Sequence, residues 1–339
     1  MVRPTTKVPV IDVSGLTADT VPAKIARSVD DACREVGFFS VVGHGIDPML
    51  ATRLDTLARE FFARPEPEKA AVAMVEGGTA WRGWFPLHGE LTSGTPDHKE
   101  GYYFGRELPP TDPRVRAGIP LHGPNVWPVE PSGLRAALLS YLDALEHLGR
   151  RLTAAISVAL GGEPHTLAAR WFRDPVILLR LFRYPPPRPA APPKGVGEHT
   201  DYGFLTLLWQ DASGGLEVRR GDGWVEVPPD ETAFVCNLGD MLDRVTGGRY
   251  RSTPHRVRSL RTGDRISIPF FYDPDWDAVM EELPLPDARP ADDANRRWDG
   301  ASVHGFDGTY GEYLLGKVAR VFPELRDAVI TGGEAPTGG

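Results

Sequence analysis

The sequence predicts a mixed α/β protein with a mainly β core of the barrel or jelly-roll kind. Short runs of β-branched and aromatic residues, divided by turn residues, fill the stretch from 176 to 272. Helix-length segments do not alternate with these runs, and no Gly-x-Gly-x-x-Gly follows a strand, which argues against a Rossmann sheet. The 37 glycines and 33 prolines among 339 residues are typical of many turns between short strands.

The N-terminal segment is predicted to contain two helices and a strand before a long loop. Apolar residues from Ile25 to Val36 recur at helical spacing, the run 38–42 is typical of a buried strand, and Pro48 begins a second amphipathic helix. Residues 74–131 are rich in Gly, Pro, Thr and Trp and show no periodic pattern. We expect them to form a partly ordered, lid-like loop that contributes to substrate specificity.

A long supporting helix and the β core follow. Ser132 precedes the strongest helical pattern of the chain, a leucine stripe that ends at Gly161-Gly162. The predicted strands are 176–184, 204–210, 215–219, 224–227, 232–238, 253–258 and 265–272. We expect one integrated catalytic unit in four segments: an N-terminal region (1–131), the supporting helix region (132–175), the β core (176–275) and a C-terminal helical extension with a tail (276–339).

Composition excludes several classes of protein. The chain has 38 Lys and Arg against 46 Asp and Glu, a formal net charge of −8, and no dense basic run, which argues against nucleic-acid binding. No apolar stretch approaches the ~20 residues of a membrane span, and the first residues lack the apolar region of a secretory signal, so we expect a cytoplasmic protein. Cys33 and Cys236 are the only cysteines, too few for a disulfide framework. No feature indicates an obligate protein partner.

A His-x-Asp triplet is the first candidate for a metal site. His199 and Asp201 lie at the start of the predicted strand 204–210, where residues i and i+2 of an extended segment project from the same face. Such triplets also occur by chance: His88-Gly89-Glu90 and His98-Lys99-Glu100 match as well, but both fall in the loop-like stretch. We therefore favour the triplet in the β core.

Further residues on predicted strands complete the pattern. His255 can join His199 and Asp201 in a two-His, one-carboxylate face, which suits Fe(II) because open positions remain for a chelating co-substrate and O₂; zinc is the alternative metal. Arg265 and Ser267 are again i and i+2 on a strand, and Arg binds carboxylates in a bidentate manner. The co-substrate would then be an acid that chelates iron at one end and is held by Arg265 at the other. 2-Oxoglutarate has this structure.

These motifs resemble a known family. The stretches 197–208, 214–218, 237–241, 249–257 and 265–271 are similar to the isopenicillin N synthase-like branch of the Fe(II)/2-oxoglutarate-dependent oxygenases. Residues 36–46 and 310–315 match its N-terminal segment and closing helix, so the resemblance covers nearly the whole chain. It implies a double-stranded β-helix (jelly roll, cupin-like) flanked by helices. It also implies hydroxylation, desaturation or cyclisation of a small molecule, with release of succinate and CO₂.

The resemblance leaves alternatives at the co-substrate and substrate positions. Plant members carry Asn and Tyr in a segment that matches 180–185, where both can contact 2-oxoglutarate; here Tyr184 is retained and Phe182 replaces the Asn. Isopenicillin N synthase keeps an Arg-x-Ser pair without consuming 2-oxoglutarate, so a 2-oxoglutarate-independent oxidase is an alternative. A non-catalytic binding protein of the same fold is another, and a zinc hydrolase is weaker because no separate general base is evident. The candidates for a substrate pocket, with core packing as their alternative role, are Trp81, Arg82, Tyr103, Phe204 and Phe271.

Overall fold

Two β-sheets form the centre of the protein. The computed structural model describes residues 7–187, 194–258, 263–286, 297 and 299–323. The larger, eight-stranded sheet (the major sheet) contains, in spatial order, β1 (Val10–Asp12), β2 (Phe38–Val42), β10 (Phe234–Leu238), β7 (Leu205–Gln210), β12 (Arg265–Asp275), β5 (Pro175–Tyr184), β4 (Glu100–Gly105) and β3 (Gly83–Phe85). The four-stranded minor sheet contains β6 (Lys194–His199), β11 (His255–Arg258), β8 (Leu216–Arg220) and β9 (Gly223–Glu226).

The chain alternates between the two sheets from β5 onwards. Strands β5, β7, β10 and β12 belong to the major sheet, whereas β6, β8, β9 and β11 belong to the minor sheet. Every pairing among these strands is antiparallel, whereas the N-terminal β1 pairs in parallel with β2. This alternation is that of a double-stranded β-helix, so the fold class predicted from the sequence is confirmed.

Helices cover the outer face of the major sheet. The helix predicted after Ser132 is α5 (Leu134–Ala159), whose leucine stripe is buried against α1 (Ala23–Glu35) and α2 (Pro48–Phe62). The shorter helices are α3 (Glu66–Ala70), a 3₁₀ helix (Met74–Ala80), α4 (Pro113–Arg116), α6 (Thr166–Trp171), α7 (Asp240–Val245) and α8 (Tyr310–Val321). None of the helices in the described ranges has the length and apolar composition needed to cross a bilayer.

The stretch 74–131 differs from the loop expected from the sequence. Its β3 and β4 extend the major sheet, because β4 pairs with β5 along its whole length. All six residues of β4 are buried, including the aromatic run at 102–104. Strands β3 and β4 are therefore part of the core, because their aromatic side chains pack there, whereas the connections around them are irregular.

A second correction concerns the strand that carries His199. We expected His199 at the start of the strand 204–210, but it is the last residue of β6, which the sequence pattern did not predict. Gly195 and Gly197 interrupt β6 and lower its intrinsic strand preference, so pairing with β11 rather than local propensity forms this strand. At the C-terminus, α8 matches the expected helical extension, and the tail lies outside the described residues.

Candidate metal centre and co-substrate pocket

Three side chains meet at the end of the minor sheet. His199 ends β6 and His255 begins β11, and the two residues are direct cross-strand partners. Asp201 lies in the loop between β6 and β7, with its Oδ1 3.9 Å from His199 Nε2 and 3.7 Å from His255 Nε2. One ligand atom from each residue lies within 4.8 Å of the other two, so a single ion can contact all three. Two imidazoles and one carboxylate on one face are the donor set of non-haem Fe(II) sites.

Hydrogen bonds aim these ligand atoms at one point. His199 Nδ1 lies 2.9 Å from the carbonyl oxygen of Gly197, and His255 Nδ1 lies 3.3 Å from that of Thr253. A carbonyl only accepts, so the proton sits on Nδ1 and the lone pair of each Nε2 is left for a metal. This tautomer is the one that ligation requires.

The carboxylate of Asp201 is held in the same way. Its Oδ2 accepts hydrogen bonds from Thr206 Oγ1 at 2.5 Å and from Asn237 Nδ2 at 2.6 Å, whereas Oδ1 faces the two imidazoles. Thr206 lies on β7 and Asn237 on β10, both in the major sheet. The metal site therefore combines two histidines of the minor sheet with a carboxylate fixed to the major sheet.

The electrostatics keep the ligands in their metal-binding protonation states. Burial, and then the neighbouring His255, lower the pKa of His199 to about 3. Burial opposes ionisation of Asp201, but the two imidazoles and the donors from Asn237 and Thr206 hold the pKa of this carboxyl below its ordinary value. At neutral pH the site thus offers neutral imidazole at His199 and an anionic carboxylate, as ligation by a divalent cation requires.

A buried guanidinium lies farther along the major sheet. Arg265, the first residue of β12, donates from Nε to the carbonyl of Gly214 at 2.6 Å and from Nη2 to Gln210 Oε1 at 3.0 Å. Its Nη1 is buried without a hydrogen-bond partner in the described part of the chain. The guanidinium also lies over the ring of Tyr184, its cross-strand partner, at 4.8 Å. An unsatisfied, buried cationic N–H fits an incoming carboxylate.

One cavity of about 90 Å³ connects the metal ligands with Arg265. Every second residue of β12 faces this cavity, as the two-residue period of a strand requires, and these residues are Arg265, Ser267, Pro269, Phe271 and Asp273. Tyr184 and Phe182 face it from β5. Phe182 lies directly opposite Ser267, so an aromatic ring occupies the position beside the co-substrate pocket.

The predicted substrate residues divide into two groups. Phe271 faces the cavity, but Trp81, Arg82, Tyr103 and Phe204 are not among the described residues that line it. Trp81, Arg82 and Tyr103 border a smaller neighbouring cavity, and Phe204 packs in the core against Phe172. Phe204 therefore has the packing role that the sequence left open, whereas Trp81, Arg82 and Tyr103 lie behind Arg180, which lines both cavities.

Five residues near the site were not assigned to it from the sequence. Glu90, Lys99 and Arg180 line the cavity, and Thr206 and Asn237 hold Asp201. Strand periodicity could have identified Arg180, because it has the same phase on β5 as Tyr184, whereas Glu90 and Lys99 lie in the irregular connection between β3 and β4, where no period fixes the direction of a side chain.

Two family models match the chain. Residues 8–130 match a model described as non-haem dioxygenase in morphine synthesis N-terminal, and residues 174–274 match the 2OG-Fe(II) oxygenase superfamily. A probable iron/ascorbate oxidoreductase of Dictyostelium discoideum is 42% identical over 90% of this chain and 91% of its own length. A homoarginine-6-hydroxylase of Glycine max is 34% identical over 94% and 98%, and a 1-aminocyclopropane-1-carboxylate oxidase of Dictyostelium mucoroides is 34% identical over 94% and 96%.

Solved structures agree with these matches. A full-length Neurospora crassa protein in complex with alpha-KG has a TM-score of 0.71 and 25% identity, with 92% of this chain and 96% of that chain covered. JOX2 in complex with 2OG, Fe and JA has a TM-score of 0.74 and 27% identity, with 97% and 90% covered. Similarity of sequence and fold over nearly the full length thus accompanies a His-Asp-His site. The chain belongs to the isopenicillin N synthase-like branch of the Fe(II)/2-oxoglutarate-dependent oxygenases.

Proposed function

We propose that in this oxygenase His199, Asp201 and His255 hold the iron, while Arg265 and Ser267 hold the distal carboxylate of 2-oxoglutarate. The observation that carries the assignment is the unsatisfied Nη1 of Arg265, buried in the cavity that also contains the ligand atoms. Tyr184, which lies against the guanidinium, fixes its orientation and excludes water from the ion pair.

When bound, iron and 2-oxoglutarate would activate O₂, which is the oxidant: 2-oxoglutarate loses CO₂ and takes up one oxygen atom to become succinate, and the second oxygen atom oxidises the substrate. The protein contributes the fixed ligand geometry, a dry pocket for one end of the co-substrate and an adjoining space for a small molecule. The substrate is hydroxylated, desaturated or cyclised. The names of the homoarginine and 1-aminocyclopropane-1-carboxylate relatives support a small organic substrate.

The test is a titration of 2-oxoglutarate into the anaerobic Fe(II) protein, followed by the metal-to-ligand absorption of the chelate. Arg265→Ala should weaken 2-oxoglutarate binding about 30-fold to several-thousand-fold, because truncating one partner of a buried charge pair costs roughly 2–5 kcal/mol. Ser267→Ala should lose less, about 0.5–1.5 kcal/mol for one hydrogen bond. Both variants should bind about one iron per chain, because neither side chain is a ligand.

A 2-oxoglutarate-independent oxidase is the second candidate. Phe182, which stands where a polar residue could contact 2-oxoglutarate, favours it. The two candidates differ in products, because only the 2-oxoglutarate-dependent reaction forms succinate. A wild-type protein that binds iron but shows no chelate band and no succinate would replace the first proposal with this one.

We also propose that the protein is cytoplasmic and that it needs no obligate protein partner. Support comes from Cys33 and Cys236, which are both buried free thiols, as expected in a reducing compartment. Fractionation of the native host, combined with size-exclusion chromatography of the purified chain, tests both statements.

A further inference from the structure

We propose that Arg180 binds an anionic group of the substrate, so that this enzyme acts on small carboxylic acids. The inference rests on the proposed function, because it takes the cavity beside the iron ligands as the place where substrate binds. It goes further by naming the chemical class of the substrate and the residue that selects it.

Arg180 lies between the co-substrate pocket and the metal end of the cavity. Arg180 lies between Leu178 and Tyr184 on β5. Leu178 is paired with Phe271 of β12, and Tyr184 is paired with Arg265. Four residues of strand separate Arg180 from the level of Arg265, about 13 Å along the sheet. The two guanidinium groups are therefore attached at different levels of the cavity, and Arg265 alone is placed to hold the distal end of 2-oxoglutarate.

The guanidinium of Arg180 is stacked between two rings and lacks a polar partner. Its Cζ lies 4.1 Å from the ring centroid of Tyr103 and 4.6 Å from that of Phe271. The side chain has no hydrogen bond or ion pair within the part of the chain that the structure describes, and its Nε is buried and unsatisfied. Stacking fixes the plane of the group and leaves its N–H edge free, which is the arrangement for bidentate binding of a carboxylate.

The acidic side chains near Arg180 already have other partners. Glu90 accepts a hydrogen bond from Tyr103 at 2.5 Å and lies 2.8 Å from the ammonium group of Lys99. Asp273 accepts from the backbone N–H of Phe204 at 2.9 Å and from the Tyr310 hydroxyl at 2.5 Å. Asp201 is a candidate metal ligand. An unpaired cation in a buried place is costly, and a carboxylate of the substrate would remove that cost.

A second cation reinforces the preference for an anion. Arg82 borders the smaller cavity that it shares with Arg180, and it donates only to the carbonyl oxygens of Phe104 and Leu121. Burial, and then the positive charge of Arg180, lower the pKa of Arg82 to about 9. Neither guanidinium has a carboxylate oxygen within 4.0 Å in the described ranges. Glu90 and Asp201 act on Arg180 only from beyond 4.0 Å, so its guanidinium has no direct carboxylate partner in those ranges.

The apolar side chains that line the cavity predict the character of the rest of the ligand. Leu178, Leu208, Phe271 and Leu314 face the same cavity, so the charged group would be attached to a body with apolar carbon. Phe271 lies opposite Thr206, and Thr206 donates a hydrogen bond to Asp201. A molecule with its acid group at Arg180 would therefore extend over Phe271 toward Asp201. The oxidised carbon would then be several bonds from the carboxylate.

Calorimetric binding under anaerobic conditions tests the inference directly. The protein is loaded with Fe(II) and saturated with 2-oxoglutarate, so that Arg265 is occupied, and is titrated with matched pairs of acid and primary amide. The pairs are L-homoarginine, 1-aminocyclopropane-1-carboxylate, phenylacetate and octanoate with their amides. We expect at least one acid to bind roughly 30-fold or more tightly than its amide, as for a buried charge pair.

Variants assign that preference to one residue. Arg180→Gln should abolish the difference between acid and amide, and Arg180→Lys should keep part of it, because the charge remains and the planar fork is lost. Both should bind 2-oxoglutarate as the wild type does. Arg173→Gln, which removes an exposed guanidinium, is the matched control and should change nothing.

Three results would overturn the inference while the proposed function survives. These are equal binding of every acid and its amide by the wild type, an unchanged acid preference in Arg180→Gln, and an acid that binds only when 2-oxoglutarate is absent. Failure of the proposed function itself would differ, since the chelate band and succinate would then be missing. If Arg180→Gln does not fold, the lysine variant and the wild-type pairs still decide the question.

Discussion

At the scale of single residues, Asp201 uses Oδ2 for hydrogen bonds within the protein and directs Oδ1 at His199 and His255. Thr206 donates to Oδ2, so Thr206→Val should let the carboxylate rotate and should weaken metal binding about 10-fold to 100-fold. Anaerobic titration with Fe(II) or Mn(II) measures this. Thr56→Val, which removes an exposed hydroxyl bonded only to its own helix at the Thr52 carbonyl, is the control. Equal metal affinity in both variants would show that the orienting bond is dispensable.

Asp273 makes stability depend on pH. Burial raises the pKa of this carboxyl from 3.8 to about 7, against the hydrogen bonds from Tyr310 and Phe204. Between pH 3.8 and about pH 7 the Asp273 carboxyl is protonated in the native state and ionised in the unfolded state. The free energy of unfolding therefore decreases as the pH rises through this range, by at most about 1.4 kcal/mol per pH unit. Below pH 3.8 both states are protonated and the effect is absent.

Replacing Asp273 by Asn should remove that dependence. The free energy of unfolding of Asp273→Asn, relative to the wild type, should increase between about pH 4 and pH 7 and stay level above pH 7. Urea unfolding at several pH values measures the difference. A difference that does not change with pH would mean that Asp273 is ionised in the folded protein throughout.

At the scale of elements, one buried carboxylate attaches β4 to its surroundings. Glu100 lies 2.7 Å from Lys69 Nζ and 2.6 Å from Arg183 Nη1, and it accepts from Trp84 Nε1 at 2.9 Å. Glu100→Ala leaves both cations without this partner and should cost about 3–5 kcal/mol of unfolding free energy. Glu68→Ala, which breaks the exposed pair with Arg64, should cost less than about 1 kcal/mol. Similar losses in the two variants would contradict a structural role for the β4 cluster.

Strand periodicity explains which elements the sequence could predict. The strand predicted at 176–184 is observed at Pro175–Tyr184, because its branched residues pack on both sides. Strand β6 was missed because its glycines carry no apolar pattern, and β4 was missed because it starts with a glutamate that only the tertiary ion pairs explain. Long-range partners, which local patterns do not contain, decide such segments.

The same limit applies to the candidate site. His199, Asp201 and His255 could be chosen from spacing, because a metal demands particular residue types on neighbouring strands. Thr206 has no such signature, since a threonine in a strand is ordinary. Strand phase places Arg180 on the cavity face of β5, but only the structure shows that its guanidinium lacks a partner while that of the nearby Arg183 binds Glu100 and Asp264.

At the scale of the whole molecule, ligands should stabilise the fold by mass action. A metal that binds only the folded state adds about 2.7 kcal/mol at a free concentration 100 times its Kd. Scanning calorimetry should therefore show a higher Tm with Mn(II) than with a chelator. His255→Ala should abolish this shift, and His147→Ala, at an exposed position on α5, should keep it. A shift that persists in His255→Ala would place the stabilising ion elsewhere.

The position of the metal centre also has a mechanical consequence for the β-sandwich. His199 and His255 are neighbours in the minor sheet, while the carboxylate between them is fixed by β7 and β10 of the major sheet. An ion bound there would be a cross-link between the two layers, because its ligands are fixed to different sheets. We expect its removal to leave the helix-covered side intact and to let the mouth of the cavity open, so that one ion governs both the chemistry and access to it.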